Sequence, residues 1–408
     1  MKIIWVSDNP RFVHVGQSRV SREFCSRLCK DFELIVIGIN EVPDQLAIKE
    51  NLPYCIDTVT RTTKGIDKDK ILAILLTHNP DIIILSHDVF LFPFLSDVKK
   101  ILPKTKIIGY FTIDGDSIPK SWIRQTLMYC DVIITPSEFG REVLFNTLIT
   151  KPLEVVGYGI NKLFSPGDKT KNEYKKEIAD VSYNTNILLD VADKFCALYY
   201  GMNQTKKGLD VIRKAWIDFS ADKDDVFCLM MVHSHSYNHH GYIDVGDYDV
   251  MRFQNIKDLI FLNTVVPDDN LVKILRAFDV LLFPSIGEGF NLPCLEAMAC
   301  GCIPITTHYA ASTDYITSKN SFPLTKYILV SGEFNVNRAA VDYIELIEKL
   351  NDAYSLWKSG SGELLTKRNL GFKMVKNYDW DLAYTKMKNI ITDLFSDKYN
   401  LVDYLKIV

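Results

Sequence analysis

"VLLFPSIGEGFNLPCLEAMACGCIPITTH", residues 280–308, runs from an apolar stretch through a glycine loop and a short helical segment into a second apolar stretch. The run 280–285 is nearly continuous in apolar residues, as a parallel strand buried on both faces must be. "IGEGF" is its loop. Asn291 stands where a helix N-cap belongs, Pro293 suits the first turn, and Gly301 ends the helix. "IPITTH" (303–308) is the next strand. A strand–helix–strand unit of this kind implies α/β architecture with ligands at the carboxyl edge of the strands.

The same alternation extends in both directions. "KIIWVS" (2–7), "ELIVIG" (33–38), "DIIILS" (81–86), "KIIGYF" (106–111) and "VIITPS" (132–137) read as buried parallel strands, with helix-length segments such as "SRVSREFCSRLCKDF" (18–32) between them. After residue 153 the composition turns polar, with Pro166, Gly167 and a cluster of lysines, and 153–180 reads as an interdomain linker. The pattern then restarts with "KFCALYYG" (194–201), "VFCLMMVHS" (226–234) and "LIFLNT" (259–264), and helices are expected at 208–219 and 268–277. The expected organisation is two Rossmann-like domains, 1–170 and 171–389.

Length and composition agree. A chain of 408 residues exceeds one ordinary core, and 47% hydrophobic with 24% charged residues describes a folded chain. Net charge of −4 offers no general field for nucleic acid, so no nucleic-acid partner is expected. The chain opens on a strand pattern without a signal sequence, and no apolar run approaches the roughly 18 residues of a membrane span. Nine cysteines, most in apolar runs, read as reduced core thiols of a cytoplasmic protein. After the first strand, "SDNPRFVHVGQSR" holds only Gly16 where a G-x-G-x-x-G loop would be needed, which argues against a dehydrogenase.

The chemistry gathers around Glu288 and Glu296. Backbone N–H groups at 289–293 would open the helix toward an anion, contributing about 0.3–1 kcal/mol and up to roughly 2 when partly buried. A diphosphate needs a cation as well, and "YYGMNQTKKG" (199–208) supplies Lys206 and Lys207 after the first strand of the same half. One charge pair near 4 Å is worth roughly 4 kcal/mol at an effective ε near 20, before desolvation. Carboxylates beside a diphosphate make sense as acceptors from hydroxyls: Glu288 for a sugar ring, Glu296 for a ribose. The plainer alternative is a cap-region acid and a surface helix acid.

"EGFNLPCLEAMACGCIP" (288–304) resembles the signature of the retaining glycosyltransferases of family 4, E-G-F-G-L-P-x-L-E-A-M-A-x-G-x-P, with seven residues between its two glutamates. "YYGMNQTKKGLDVI" looks like the family's glycine–basic loop, and "VIITPSEFGREVL" (132–144) and "VVGYGINKLFSP" (155–166) look like the end of its first domain. Trp380 resembles the tryptophan that opens the final helix, so 390–408 is expected to cross back onto the first domain. The resemblance implies the GT-B fold, two Rossmann-like doubly wound domains facing across a cleft. It implies a nucleoside diphosphate sugar donor of the GDP-mannose or UDP-glucose class and a hydroxyl acceptor on a glycan, glycoprotein or glycolipid. The product keeps the anomeric configuration, and neither a metal nor another cofactor is required. Glu288, Lys207 and Asp114 become the catalytic candidates. Gly16, Lys206, Gly289, Phe290, Asn291, Leu292, Glu296 and Thr264 become the donor-binding candidates. A homodimer stays open.

The sequence also departs from that pattern. Asn291 replaces a glycine, and Met202 stands where an arginine commonly follows Gly201, leaving the positive charge to Lys207 with Lys206. Ala310 and Ala311 replace paired glycines, and Asp314 a glutamate. The first domain's usual histidine is missing; "TIDGDS" (112–117) lies there, which assigns its sugar contact to Asp114. "DGD" (114–116) resembles the metal-binding Asp-x-Asp of another glycosyltransferase fold, but reads here as a solvated turn. "HSHSYNHHG" (233–241) gathers four histidines and reads as a polar loop rather than a metal site. His14 and His87 follow first-domain strands and are candidates for the acceptor side. The competing functions are a sugar-nucleotide hydrolase or epimerase, and a non-catalytic sugar-nucleotide-binding protein.

Overall fold

The computed structural model describes residues 1–12, 16–42, 47–62, 65–179, 191–233, 235–238, 241–244, 251–264, 266–396 and 399. The chain divides into two compact units. The first comprises Met1–Gly159, Gly332–Val336 and Tyr378–Val408, and the second Ile160–Ser331 and Asn337–Asn377.

The first unit is built on seven strands: β1 (Lys2–Asp8), β2 (Glu33–Ile39), β3 (Cys55–Val59), β4 (Ile82–Ser86), β5 (Lys106–Tyr110), β6 (Val132–Thr135) and β7 (Leu153–Val155). They pair in parallel in the order β3-β2-β1-β4-β5-β6-β7. The centre is fully apolar: Ile3, Ile4 and Trp5 of β1 and Ile82 and Ile84 of β4 are wholly buried. That is why these runs were legible as strands. β3 was not, because at the edge it is half exposed and lacks a continuous apolar run. The helix Trp380–Asp393 belongs to this unit, and Trp380 lies against Phe24 and Tyr158 at 5.6 and 6.1 Å between ring centroids. A Cβ on Gly159 would fall 2.3 Å from the Trp380 backbone nitrogen, so the chain needs glycine there.

In the second unit the sheet is β8 (Phe195–Met202), β9 (Val226–His233), β10 (Leu259–Asn263), β11 (Val280–Phe283), β12 (Ile303–Thr307) and β13 (Phe322–Leu324). The order is β10-β9-β8-β11-β12-β13, again all parallel. Seven of the nine cysteines are buried and all nine are free thiols. No helix among the described residues is long and apolar enough to cross a membrane.

The linker reading of 153–180 is corrected. Leu153–Val155 is a sheet strand, and Lys171–Ala179 is a helix whose Tyr174 and Ile178 are buried against the second unit's core. Its lysines misled because one of them, Lys175, is wholly buried with its Nζ 2.8 Å from Asp279 Oδ2. A helix start was in fact written in the sequence as a capping box. Glu173 Oε2 accepts from the Thr170 amide at 2.7 Å and from its hydroxyl at 2.8 Å.

Candidate active site

Both sheets reverse their strand order between the first strand and the fourth, and such a reversal leaves a crevice at the carboxyl edge. In the second unit the two strands flanking the reversal are β8 and β11. The loop after β8 carries Lys206 and Lys207; the loop after β11 carries Glu288. Topology therefore brings together two segments some 80 residues apart.

The two loops are stitched backbone to backbone. The Ile286 amide donates to Lys206 O at 2.9 Å, and Ser285 Oγ lies 3.0 Å from the same carbonyl. Gly208 makes the approach feasible: its φ is +74°, and a Cβ there would meet Pro284 O at 2.4 Å. Lys207 Nζ then donates to Glu288 Oε1 at 2.6 Å, and Ser285 Oγ donates to the same oxygen at 2.5 Å. The Lys207 ammonium also sits 5.5 Å from the centre of the Phe283 ring. Burial alone would raise the Glu288 pKa, but the charges of Lys207 and Lys206 and the two hydrogen bonds outweigh it. Its carboxyl is held below the ordinary range, so it is an anion at neutral pH.

The helix Leu292–Ala299 follows, with Pro293 in its first turn and Gly301 left-handed at φ +77° just past its end. Asn291 precedes the helix without capping it. Its backbone is left-handed (φ 71°, ψ 58°), and Nδ2 donates instead to Ser312 Oγ at 3.2 Å. The substitution of asparagine for glycine has its reason here, since asparagine tolerates this conformation better than other residues with a Cβ. Ala310 is also left-handed, at φ 54°, without the help of a polar side chain. Tyr315 Oη shares its proton between Phe290 O (3.0 Å) and Asn291 O (3.1 Å), and the Ala311 amide donates to Glu288 O at 3.2 Å. These contacts pin the turn in front of the helix.

Glu296 is 3% exposed, which overturns the surface-acid alternative. Tyr200 Oη lies 2.8 Å from Glu296 Oε2 and 3.0 Å from Pro293 O. A buried carboxylate on a short apolar helix needs such a donor. Phe290 is buried, so the residues 289–292 offer a ligand mainly their backbone. Helix geometry leaves the first-turn N–H groups without intrahelical acceptors. Gly289, Phe290, Asn291, Leu292, Lys206, Lys207, Glu288 and Glu296 thus form one constellation within the second unit. Ser285, Tyr200 and Tyr315 were missed. Ser285 stands three residues before the Glu288 it meets, whereas only the strand pairing shows that Tyr200 meets Glu296.

The remaining candidates lie on other elements. Thr264 follows the edge strand β10, its amide donating to Val232 O at 3.0 Å. In the first unit, Gly16 opens the helix Gly16–Leu28 and has open space where a Cβ would sit. Asp114 is half-buried after β5, and Asp116 is exposed. His87 follows β4 at that unit's own order reversal. Its Nε2 faces Asp8 Oδ1 at 3.1 Å and its Nδ1 accepts from the Asp88 amide at 2.7 Å, so both ring nitrogens are engaged. His14 lies outside the described residues, and of the four histidines in 233–241 only the His233 side chain is described. Among the described residues no three His, Cys, Asp or Glu side chains form a metal-holding group.

Comparison with known proteins adds a match to a family model over part of the chain, and the fold. Residues 195–362 match the family described as Glycosyl transferases group 1, a span that includes both loops. A curated relative, Uncharacterized protein 356 of Sulfolobus islandicus rod-shaped virus 1, is 24% identical over 209 residues, covering 51% of this chain and 53% of the relative. The match thus spans about half the length of that curated relative. Three solved structures resemble the chain over nearly its whole length. Anabaena HepE in complex with UDP and glucose superposes with a TM-score of 0.70 at 12% identity, over 96% of this chain and 100% of that one. Sucrose-phosphate synthase from Thermosynechococcus elongatus gives 0.72 at 14%, over 98% and 100%. An α,α-trehalose-phosphate synthase (UDP-forming) from Burkholderia vietnamiensis gives 0.66 at 12%, over 97% and 100%. The fold is GT-B.

Proposed function

We propose that this chain is a retaining, metal-independent glycosyltransferase. It moves a hexosyl unit from a nucleoside diphosphate sugar, of the UDP-glucose or GDP-mannose class, to a hydroxyl of a glycan, glycoprotein or lipid. The observation that carries the reading is the pairing of Lys207 with Glu288 at the sheet's order reversal, directly ahead of a helix that holds Glu296. The match to the group 1 family over this segment supports it, as does a structural neighbour solved with UDP and glucose.

In this reading the diphosphate lies at the turn 289–292, where backbone N–H groups and Lys207 meet its charge. Glu288 accepts hydrogen bonds from the sugar, and Glu296 from the ribose. The acceptor hydroxyl attacks C1 from the face the diphosphate leaves. The C1–O bond breaks with its electron pair going to the diphosphate, and a phosphate oxygen takes the hydroxyl proton. Lys207 stabilises the charge that develops on the leaving group.

The test is incubation with UDP-glucose, GDP-mannose and UDP-N-acetylglucosamine in EDTA, with and without sugar acceptors. One donor should be consumed, and the new glycoside should keep the donor's anomeric configuration. An inverted product, or turnover that requires manganese or magnesium, contradicts the proposal. Donor consumption that no acceptor captures identifies the hydrolase alternative, and binding without consumption the non-catalytic one.

A further inference from the structure

The second unit contains a cationic cavity that the proposed reaction does not use. Its volume is ≈ 550 Å³, and its wall includes Lys171, Arg276, Arg368, Tyr174, Phe372 and Gly301. It lies at the end of the helix Leu292–Ala299 opposite Asn291, so about 12 Å of helix separates it from the donor turn. No carboxylate is among its described lining residues.

The charges there do not balance. Asp279, 2% exposed, is 2.8 Å from Lys175 Nζ and 3.3 Å from an Arg368 terminal nitrogen, so one carboxylate serves two cations. Arg368 Nε is buried and has no hydrogen-bond partner among the described residues. Among the described residues Lys171 Nζ donates only to carbonyl oxygens, of Leu275 at 3.3 Å and of Phe278. Arg276 donates to the backbone oxygen and hydroxyl of Ser165, each at 3.0 Å, and its guanidinium lies 5.8 Å from the centre of the Tyr174 ring. Burial, with the Arg368 charge next, pushes the Lys171 pKa down to about 8. The carboxyl ends of the helices Asp268–Ala277 and Leu292–Ala299 supply roughly half a negative charge each, which leaves the group net positive. Uncompensated cations in a partly buried cavity cost stability unless an anion joins them.

We infer that this cavity is a second binding site, for a phosphate monoester or diphosphate of a small organic molecule. Two guanidinium groups match the oxygen geometry of phosphate, and Lys171 adds a point charge. The volume suits a small molecule rather than a bare ion, and Tyr174 and Phe372 provide ring surface for its organic part.

The experiment is calorimetric titration of orthophosphate and phenyl phosphate into the wild-type chain, Arg276→Gln and Lys171→Met, each with and without saturating UDP. Both probes should bind saturably to the wild type, phenyl phosphate more tightly. Either substitution should weaken binding at least tenfold, UDP should not compete, and Lys207→Met should bind the probes as the wild type does. Absence of saturable binding overturns the inference. So does displacement by UDP, which needs no variant and places the probe in the donor site. Folded Arg276→Gln and Lys171→Met proteins that bind like the wild type also overturn it.

Discussion

Replacing Lys207 with methionine removes a charge while keeping most of the side chain's bulk. Its Nζ is 2.6 Å from Glu288 Oε1, and the two side chains are 14% and 13% exposed. At that distance and an effective ε near 20 the attraction is about 6 kcal/mol before desolvation. Removing one partner of a buried pair costs roughly 3–5 kcal/mol, because the other charge is stranded. Lys206 and the Ser285 hydroxyl still support Glu288, and water screens part of the charge, so the loss of unfolding free energy should fall near the lower end, about 3 kcal/mol. Glu288→Gln in the same chain should recover most of it. Turnover should respond differently: the leaving diphosphate gains charge in the transition state, so kcat should fall by roughly 10²-fold or more while donor Kd changes less. Urea unfolding of both single variants and the double variant, with kcat and donor Kd for the folded single variant, gives every quantity. Additive stability losses within about 0.5 kcal/mol would show that the pair is not coupled. A collapse of affinity with normal saturated turnover would reduce Lys207 to a binding residue.

Two further outcomes follow from backbone and burial. Asn291 is left-handed, so Asn291→Val should cost about 1–2 kcal/mol of stability whereas Asn291→Gly should be close to neutral; a valine variant as stable as the wild type refutes that conformation. Burial pushes the thiols of Cys130, Cys294 and Cys302 up to about 12, while unfolded thiols ionise near 8.5. The folded chain therefore holds these protons longer, and the stability they contribute is complete below that unfolded value and lost as pH rises toward 12, by up to about 1.4 kcal/mol per thiol per unit. Urea unfolding at pH 8 and pH 10 should show a loss of more than about 3 kcal/mol, with Cys130→Ala giving a shallower dependence; a flat profile contradicts it.

The central strands were legible because burial on both faces leaves continuous apolar runs, as in β1 and β11. The half-exposed edge strand Cys55–Val59 was not, and the lysine-rich helix Lys171–Ala179 passed for a linker. The candidate site's acidic residues lie along one segment, where their spacing is visible in the sequence. Their partners could not be read there, since Lys207 with Glu288 and Tyr200 with Glu296 meet only through the pairing of β8 with β11. From sequence alone Lys207 belongs to phosphate and Glu288 to sugar as separate groups, whereas the structure joins them directly. Asn291 shows the same limit: it stands where an N-cap belongs, yet its left-handed backbone turns the side chain to Ser312.

On the proposed function, the turn before Leu292–Ala299 holds a nucleoside diphosphate together with Lys207 and Glu296. The sharpest check is calorimetric titration of UDP and GDP, in EDTA, into the wild-type chain and a folded Glu296→Ala variant. Saturable binding of one nucleotide by the wild type is expected, weakened by about 1–3 kcal/mol in the variant, the scale of a lost charged hydrogen bond. No binding of either nucleotide, or equal affinity in the two proteins, would contradict it.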